Sequence, residues 1–75
     1  MTTTSIVTTL DSFATLKSGW DGYQGEPIKP EVLAKAKEMI AFLPDWKWQA
    51  IPCPDGSIQL EMHENGFDIE ITILK

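Results

Sequence analysis

Two alternating apolar and polar segments flank an Asn65-Gly66 step, and they constrain this chain more than any other feature of its sequence. Asn-Gly is the strongest short-range signal for a two-residue β-hairpin turn. With the turn at this step, the facing residues on one side of the hairpin are all apolar: Met62 with Ile69, Leu60 with Ile71, and Ile58 with Ile73. Turn chemistry and hydrophobic pattern agree, so the sequence predicts an antiparallel hairpin with one buried face.

The opposite face of this hairpin is predicted to be polar and acidic. Its facing pairs are Gln59 with Thr72, Glu61 with Glu70, and His63 with Asp68. The two glutamates form a mildly unfavourable like-charge pair, which the neighbouring His63 partly offsets. Such a face either keeps a small domain soluble or serves as an anionic docking surface, and the residues alone leave both readings open.

A further strand is predicted over residues 46–53, joined to the hairpin by the turn sequence Pro54-Asp55-Gly56-Ser57. A two-residue turn directs Gln49, Ile51 and Cys53 inward, whereas a three-residue turn directs Trp46, Trp48 and Ala50 inward. The sequence does not decide between these registers. Pro52 favours a position at the sheet edge, because proline cannot donate to a strand ladder.

Two helices are predicted before the strands. Apolar residues at helical spacing, from Ile6 to Leu16, indicate a first helix over residues 5–16, and Pro30 and Pro44 bracket a second over residues 30–43. Residues 18–29 between them are rich in glycine and predict an ordered loop with Trp20 against the core edge. Phe42 falls on the polar side of the second helix, either tucked under the following turn or exposed as a contact residue.

These elements predict an α+β fold in which two helices pack on one face of a three-stranded antiparallel β-meander, in the order ααβββ. With 75 residues, no repeats and no linker, the whole chain, residues 1–75, is expected to form one domain. Trp46 and Trp48 cannot both be deeply buried in so small a domain, so at least one is a candidate binding anchor.

Composition argues against several function classes. The chain has eleven acidic residues against six lysines, a net charge of −5, which disfavours direct binding to nucleic acid. It has one cysteine and one histidine, too few for a disulfide framework or a typical zinc site. No apolar segment approaches the length of a membrane span and the first residues lack a basic signal region, so a reducing cytoplasm is the expected location.

No catalytic arrangement is evident either. Cys53 and His63 could pair as nucleophile and base, but in the two-residue register they lie on opposite faces of the sheet. His63 with its neighbouring carboxylates could hold a divalent cation, but a flat, solvated sheet face offers no cleft for a substrate. The prediction is therefore a protein that is not an enzyme and carries no cofactor or metal.

Two resemblances add to these inferences. The segment Gly19-Trp20-Asp21-Gly22-Tyr23, with Pro27-Ile28 and the later residues 54–58 and 60–61, resembles a small family of uncharacterised bacterial and phage proteins with a Trp-Asp-Gly-Tyr-Gly loop. The similarity spans roughly residues 18–71, with Gln24 and Met62 as departures from the family pattern. It supports the predicted fold and implies structural roles for the turn glycines and the loop tryptophan.

Residues 1–9 are similar to the start of a small acidic phage anti-CRISPR protein that blocks type I-F systems, whereas the rest of the chain does not match that family. The resemblance implies a phage origin and a non-enzymatic inhibitor that presents carboxylates to the lysines and arginines of a nucleic-acid site.

The functional hypothesis is thus an anti-CRISPR-type inhibitor, acting in the bacterial host cytoplasm, that docks an acidic sheet face on a basic surface of a CRISPR–Cas effector. Its predicted partner-binding residues are Glu61, Glu64, Asp68 and Glu70, with Trp48 and Phe42 as exposed aromatic anchors. The first alternative is a bacterial accessory or antitoxin-like interaction protein, possibly a homodimer that shields its sheet edge. The second is a small metal-dependent enzyme that uses His63.

Overall fold

The computed structural model describes residues 2–64 and 66–75, with side chains from Ile6 onward. Two helices precede a three-stranded antiparallel sheet with strand order β1-β2-β3, which confirms the predicted ααβββ fold. The elements are α1 (Thr2–Ser12), a 3₁₀ turn (Phe13–Thr15), α2 (Pro30–Phe42), β1 (Gln49–Pro52), β2 (Ile58–Glu64) and β3 (Phe67–Ile73).

Helix α1 begins three residues earlier than predicted, and its last turn tightens into the 3₁₀ form. Two hydroxyl groups explain the tightening: Ser12 Oγ donates to the Thr9 carbonyl at 2.6 Å, and Thr15 Oγ1 donates to the Ser12 carbonyl at 2.8 Å. Such back-bonding competes with regular helical bonds. The helix buries Ile6 and Leu10, and Phe13 in the 3₁₀ turn is buried beside them.

Helix α2 begins at Pro30, where the missing amide costs nothing, and ends at Phe42. The Leu43 amide donates to the carbonyls of Met39 and Ile40, and the following Pro44 has no amide with which to extend the helix. The helix lays one apolar face on the sheet, made of Val32, Leu33, Ala36 and Ile40.

The hairpin of β2 and β3 has the predicted register. All six predicted pairs occur, and Glu64 faces Phe67 next to the turn. On the face covered by the helices Ile58, Leu60, Met62 and Ile73 are buried, while Ile69 and Ile71 are partly buried against the same core. Asn65 of the predicted turn lies outside the described residues.

The register of β1 is the one that a three-residue turn produces. Ala50 pairs with Leu60 and Pro52 with Ile58, so Trp48 and Ala50 face the core while Gln49 and Ile51 face outward. The turn places Pro54 and Asp55 at its two central positions and Gly56 in the left-handed region, at φ +88°. Pro52 lies in an edge strand, as predicted.

The loop between the helices is held by its own hydrogen bonds. One carboxylate oxygen of Asp21 accepts the amides of Tyr23 at 2.9 Å and Gly25 at 2.8 Å, and these bonds lower the pKa of Asp21. The Trp20 indole donates to the Glu26 carbonyl at 2.7 Å, and the Glu26 amide donates to the Pro54 carbonyl at 2.8 Å. The loop is therefore a structural element, fastened to the β1–β2 turn.

The β1 register generates a stability prediction. Trp48 is only 7% exposed and donates its indole N–H to the Pro44 carbonyl at 3.0 Å, whereas Ile51 on the opposite face is 39% exposed. Trp48→Ala should cost about 3–5 kcal/mol of unfolding free energy, a large fraction of the total for a domain of this size. Ile51→Ala should cost about 0.5 kcal/mol. Thermal and urea unfolding measure both losses, and equal losses would contradict this register.

Candidate protein-binding surfaces

The sheet face turned away from the helices, here called the outer face, carries Glu61, His63, Asp68 and Glu70. These residues alternate with the core residues of β2 and β3, so the period of the strand places them together. Asp68 and Glu70 are exposed, and the Glu61 side chain is 17% exposed. The predicted acidic face therefore exists, with Glu61 directly opposite Glu70 across the two strands.

His63 lies between two of these carboxylates. Its Nδ1 is 2.8 Å from Asp68 Oδ1, and its Nε2 is 3.5 Å from Glu61 Oε1. The hydrogen bond to Asp68 raises the pKa of His63 above its usual value, and the nearby charge of Glu61 raises it further. The charge of the outer face consequently depends on pH near neutrality, becoming more negative as the imidazole loses its proton.

Glu64 does not belong to the outer face, which corrects its place in the predicted acidic cluster. Even-numbered residues of β2 face the helices, so Glu64 and its partner Phe67 lie on the opposite side from Glu61. One Glu64 oxygen accepts the Lys47 amide at 3.4 Å, and the other lies 4.0 Å from Lys47 Nζ. Glu64 thus anchors the segment that leads into β1.

Trp48 is buried, so the prediction that it is an exposed anchor is wrong. The three-residue turn directs it into the core, and Trp46 takes the half-exposed position instead. Trp46 stacks on Trp48 with ring centroids 6.4 Å apart and on Phe67 at 6.2 Å. Phe67 is 55% exposed. The sequence analysis did not single out Phe67 as an exposed aromatic. The hairpin register pairs it with Glu64 next to the turn, and this pairing is the sequence signal that could have identified it.

Phe42 is the exposed aromatic that the second reading of the sequence predicted. It is 84% exposed and lines an open groove between α2 and β3 with a volume of about 320 Å³. The groove is mostly apolar and is lined by Lys35, Glu38, Met39, Phe42 and Ile73. Phe42 and the acidic outer face lie on opposite sides of β3, because Ile73 belongs to the face covered by the helices.

Cys53 and His63, the residues considered as nucleophile and base, are far apart in the structure. The two-residue register implied that Cys53 and His63 lie on opposite faces of the sheet. In the structure they lie on the same face but at a distance from each other along it. Cys53 lies opposite Ser57, and His63 is six residue steps along the strand from Ser57, a distance of about 20 Å. Within residues 2–64 and 66–75, no group of three or more histidine, cysteine, aspartate or glutamate side chains is placed to hold a metal ion.

Comparison of the chain with known protein families, curated proteins and solved structures gives no significant match. The resemblances inferred from the sequence therefore stay predictions. No helix in the described part of the chain is both long enough and apolar enough to cross a membrane.

The position of His63 predicts a measurable titration. Protonated His63 binds both carboxylates, so its contribution to folding is fully present below about pH 6.5, the unfolded value, and is lost as pH rises through the higher folded pKa. Asp68→Asn should lower the pKa of His63 toward 6.5 by removing the main hydrogen-bonded charge. Glu70→Gln is the control, since Glu70 is not a cause of the shift. NMR titration of the imidazole measures the pKa in each variant, and an unchanged pKa in Asp68→Asn would contradict the arrangement.

Proposed function

We propose that this protein is a non-enzymatic inhibitor that binds a basic protein surface through the outer face of its sheet. The observation that carries the proposal is the segregation of charge. Apart from His63, every charged residue in the three described strands is acidic, while all six lysines lie outside them. A protein surface that normally holds nucleic acid through lysine and arginine is the complementary partner.

The physical basis is the cost of gathering like charges on one face. Glu61 and Glu70 face each other directly, an arrangement that is mildly destabilising within the folded domain. A basic partner turns this repulsion into attraction at the interface. It also accelerates the encounter, because a charged patch steers an oppositely charged surface over roughly a Debye length.

The proposed target is a bacterial CRISPR–Cas effector, met inside the host cell of a phage or mobile element. What supports this choice is the similarity of residues 1–9 to the start of a type I-F anti-CRISPR protein. The acidic outer face fits the same mode of action, since it would occupy basic residues that otherwise hold nucleic acid. Phe42, which lies on the opposite side of β3 from the outer face, is the proposed aromatic contact at the groove beside α2, and Trp48 cannot take that role because it is buried.

A second candidate is a bacterial accessory or antitoxin-like protein that forms a homodimer. The observation that favours it is the free edge of β3, which has β2 on one side and no described strand on the other. Free sheet edges are common places of strand pairing between copies. Sedimentation equilibrium over a wide concentration range distinguishes this candidate, since it requires a dimer that the inhibitor does not need.

Charge reversal tests the proposed function. Glu61→Lys combined with Glu70→Lys should weaken binding to a purified type I-F effector complex by at least about tenfold, and inhibition of its DNA binding should fall in parallel. The matched control is Glu31→Lys combined with Asp45→Lys, which makes the same change in net charge at exposed positions outside the strands. Binding of the unmodified protein should weaken as salt rises. Undiminished inhibition by the outer-face variant would exclude this face as the binding surface.

A further inference from the structure

The hydrogen bonds of the first turn reveal which backbone groups of β3 are free. The Cys53 amide donates to the Ser57 carbonyl at 2.9 Å, so Ser57 directs its backbone toward β1. Backbone direction alternates along a strand, and therefore Ile58, Leu60 and Met62 direct theirs toward β3. Their partners Ile73, Ile71 and Ile69 point back at β2. The amide and carbonyl groups of Asp68, Glu70 and Thr72 consequently face the open edge.

The two edges of the sheet differ in how well they resist strand pairing. The β1 edge has four residues and contains Pro52, which blocks pairing. The β3 edge has seven residues and contains no proline and no lysine. Exposed edges normally carry such protective features, because unpaired backbone groups attract other strands. The β3 edge carries the carboxylates of Asp68 and Glu70 instead, which oppose pairing with another acidic strand but attract a basic one.

The side chains beside this edge define what kind of strand fits. On the outer face, the edge presents the carboxylates of Asp68 and Glu70. On the helix-covered face it presents Ile69, Ile71 and Ile73, the last of which opens into the groove with Met39 and Phe42. A strand added here would carry basic side chains on one face and apolar side chains on the other, since neighbouring residues point to opposite faces.

We infer that the open edge of β3 binds an extended segment of the partner in which lysine or arginine alternates with apolar residues. The basic side chains would pair with Asp68 and Glu70, and the apolar side chains would fill the groove between α2 and β3. This inference rests on the proposed function for the charge of the partner, and it adds the mode of binding, which is strand addition.

Charge favours such a segment over a second copy of this chain. Two copies each carry a net charge of −5 and bring further acidic residues to the shared edge. Antiparallel self-pairing centred on Glu70 would place the two Glu70 side chains opposite each other, which is destabilising. A basic strand meets the same edge with attraction in every register that aligns its lysines with the acidic side chains.

The test uses the full chain and two synthetic peptides of identical composition. One peptide alternates lysine with valine or isoleucine over eight residues, and the other groups its lysines at one end. The alternating peptide should bind with at least about fivefold higher affinity by fluorescence anisotropy, because only its pattern matches both faces of the edge. Amide hydrogen exchange at Asp68, Glu70 and Thr72 should slow on binding, while Ile69, Ile71 and Ile73 change little, since β2 already protects them.

Variants separate the edge from the charge. Thr72→Pro removes an edge amide without changing charge and should weaken binding of the alternating peptide by about fivefold or more, the effect of losing one hydrogen bond. Thr72→Val keeps that amide and should bind normally. Phe42→Ala removes an 84% exposed groove residue and should also weaken binding. Circular dichroism and thermal unfolding verify that each variant is folded, and the exchange pattern in the unmodified protein decides the question if Thr72→Pro does not fold.

The outcomes distinguish the two proposals. Normal binding of the effector complex by Thr72→Pro, together with loss of binding in the Glu61→Lys and Glu70→Lys double variant, would overturn strand addition and leave the acidic inhibitor intact. Normal effector binding by the charge-reversal variant would overturn the proposed function, whereas edge protection of the unmodified protein by the alternating peptide would still support strand addition. A concentration-dependent dimer that Thr72→Pro dissociates, with no preference between the peptides, would show that a second copy covers the edge and would overturn the inference.

Discussion

The strict two-residue period of the β2–β3 hairpin is the constraint on which the rest of the structure depends. Three apolar pairs leave only one register in which the sheet has a continuous buried face. That face is what both helices cover, since neither α1 nor α2 buries its apolar side on its own. The same period necessarily gathers Glu61, Asp68 and Glu70 on the other side. Core and acidic face are therefore two consequences of one register.

The elements that could be predicted from the sequence are those with agreeing local signals. The hairpin combined Asn-Gly turn chemistry with alternation, and α2 combined an apolar face with a proline at each end. The register of β1 lacked such agreement, because Pro54-Asp55-Gly56 suits turns of two lengths and both choices brought apolar residues inward. The structure takes the choice that buries Trp48, a larger side chain than any that the other register would direct inward.

The candidate site was predictable to a similar degree. Glu61, Asp68 and Glu70 follow from the hairpin register and lie on the outer face as predicted. Trp48 was misplaced because its burial depends on the undecided turn, and Glu64 because the same register, carried one residue further, puts it on the helix side. The groove beside Phe42 could not be predicted. It arises from the way α2 lies across β3, and no local pattern encodes the position of a helix on a sheet.

Because core residues and outer-face residues alternate along the strands, the outer face can change in sequence independently of the fold. Substitutions at Gln59, Glu61, Glu70 or Thr72 alter the outer face without changing any side chain of the core, because every core residue of β2 and β3 lies at the intervening positions. A domain built this way can change what it recognises one residue at a time while its folding remains nearly constant. Such independence shortens the mutational path from one binding specificity to another.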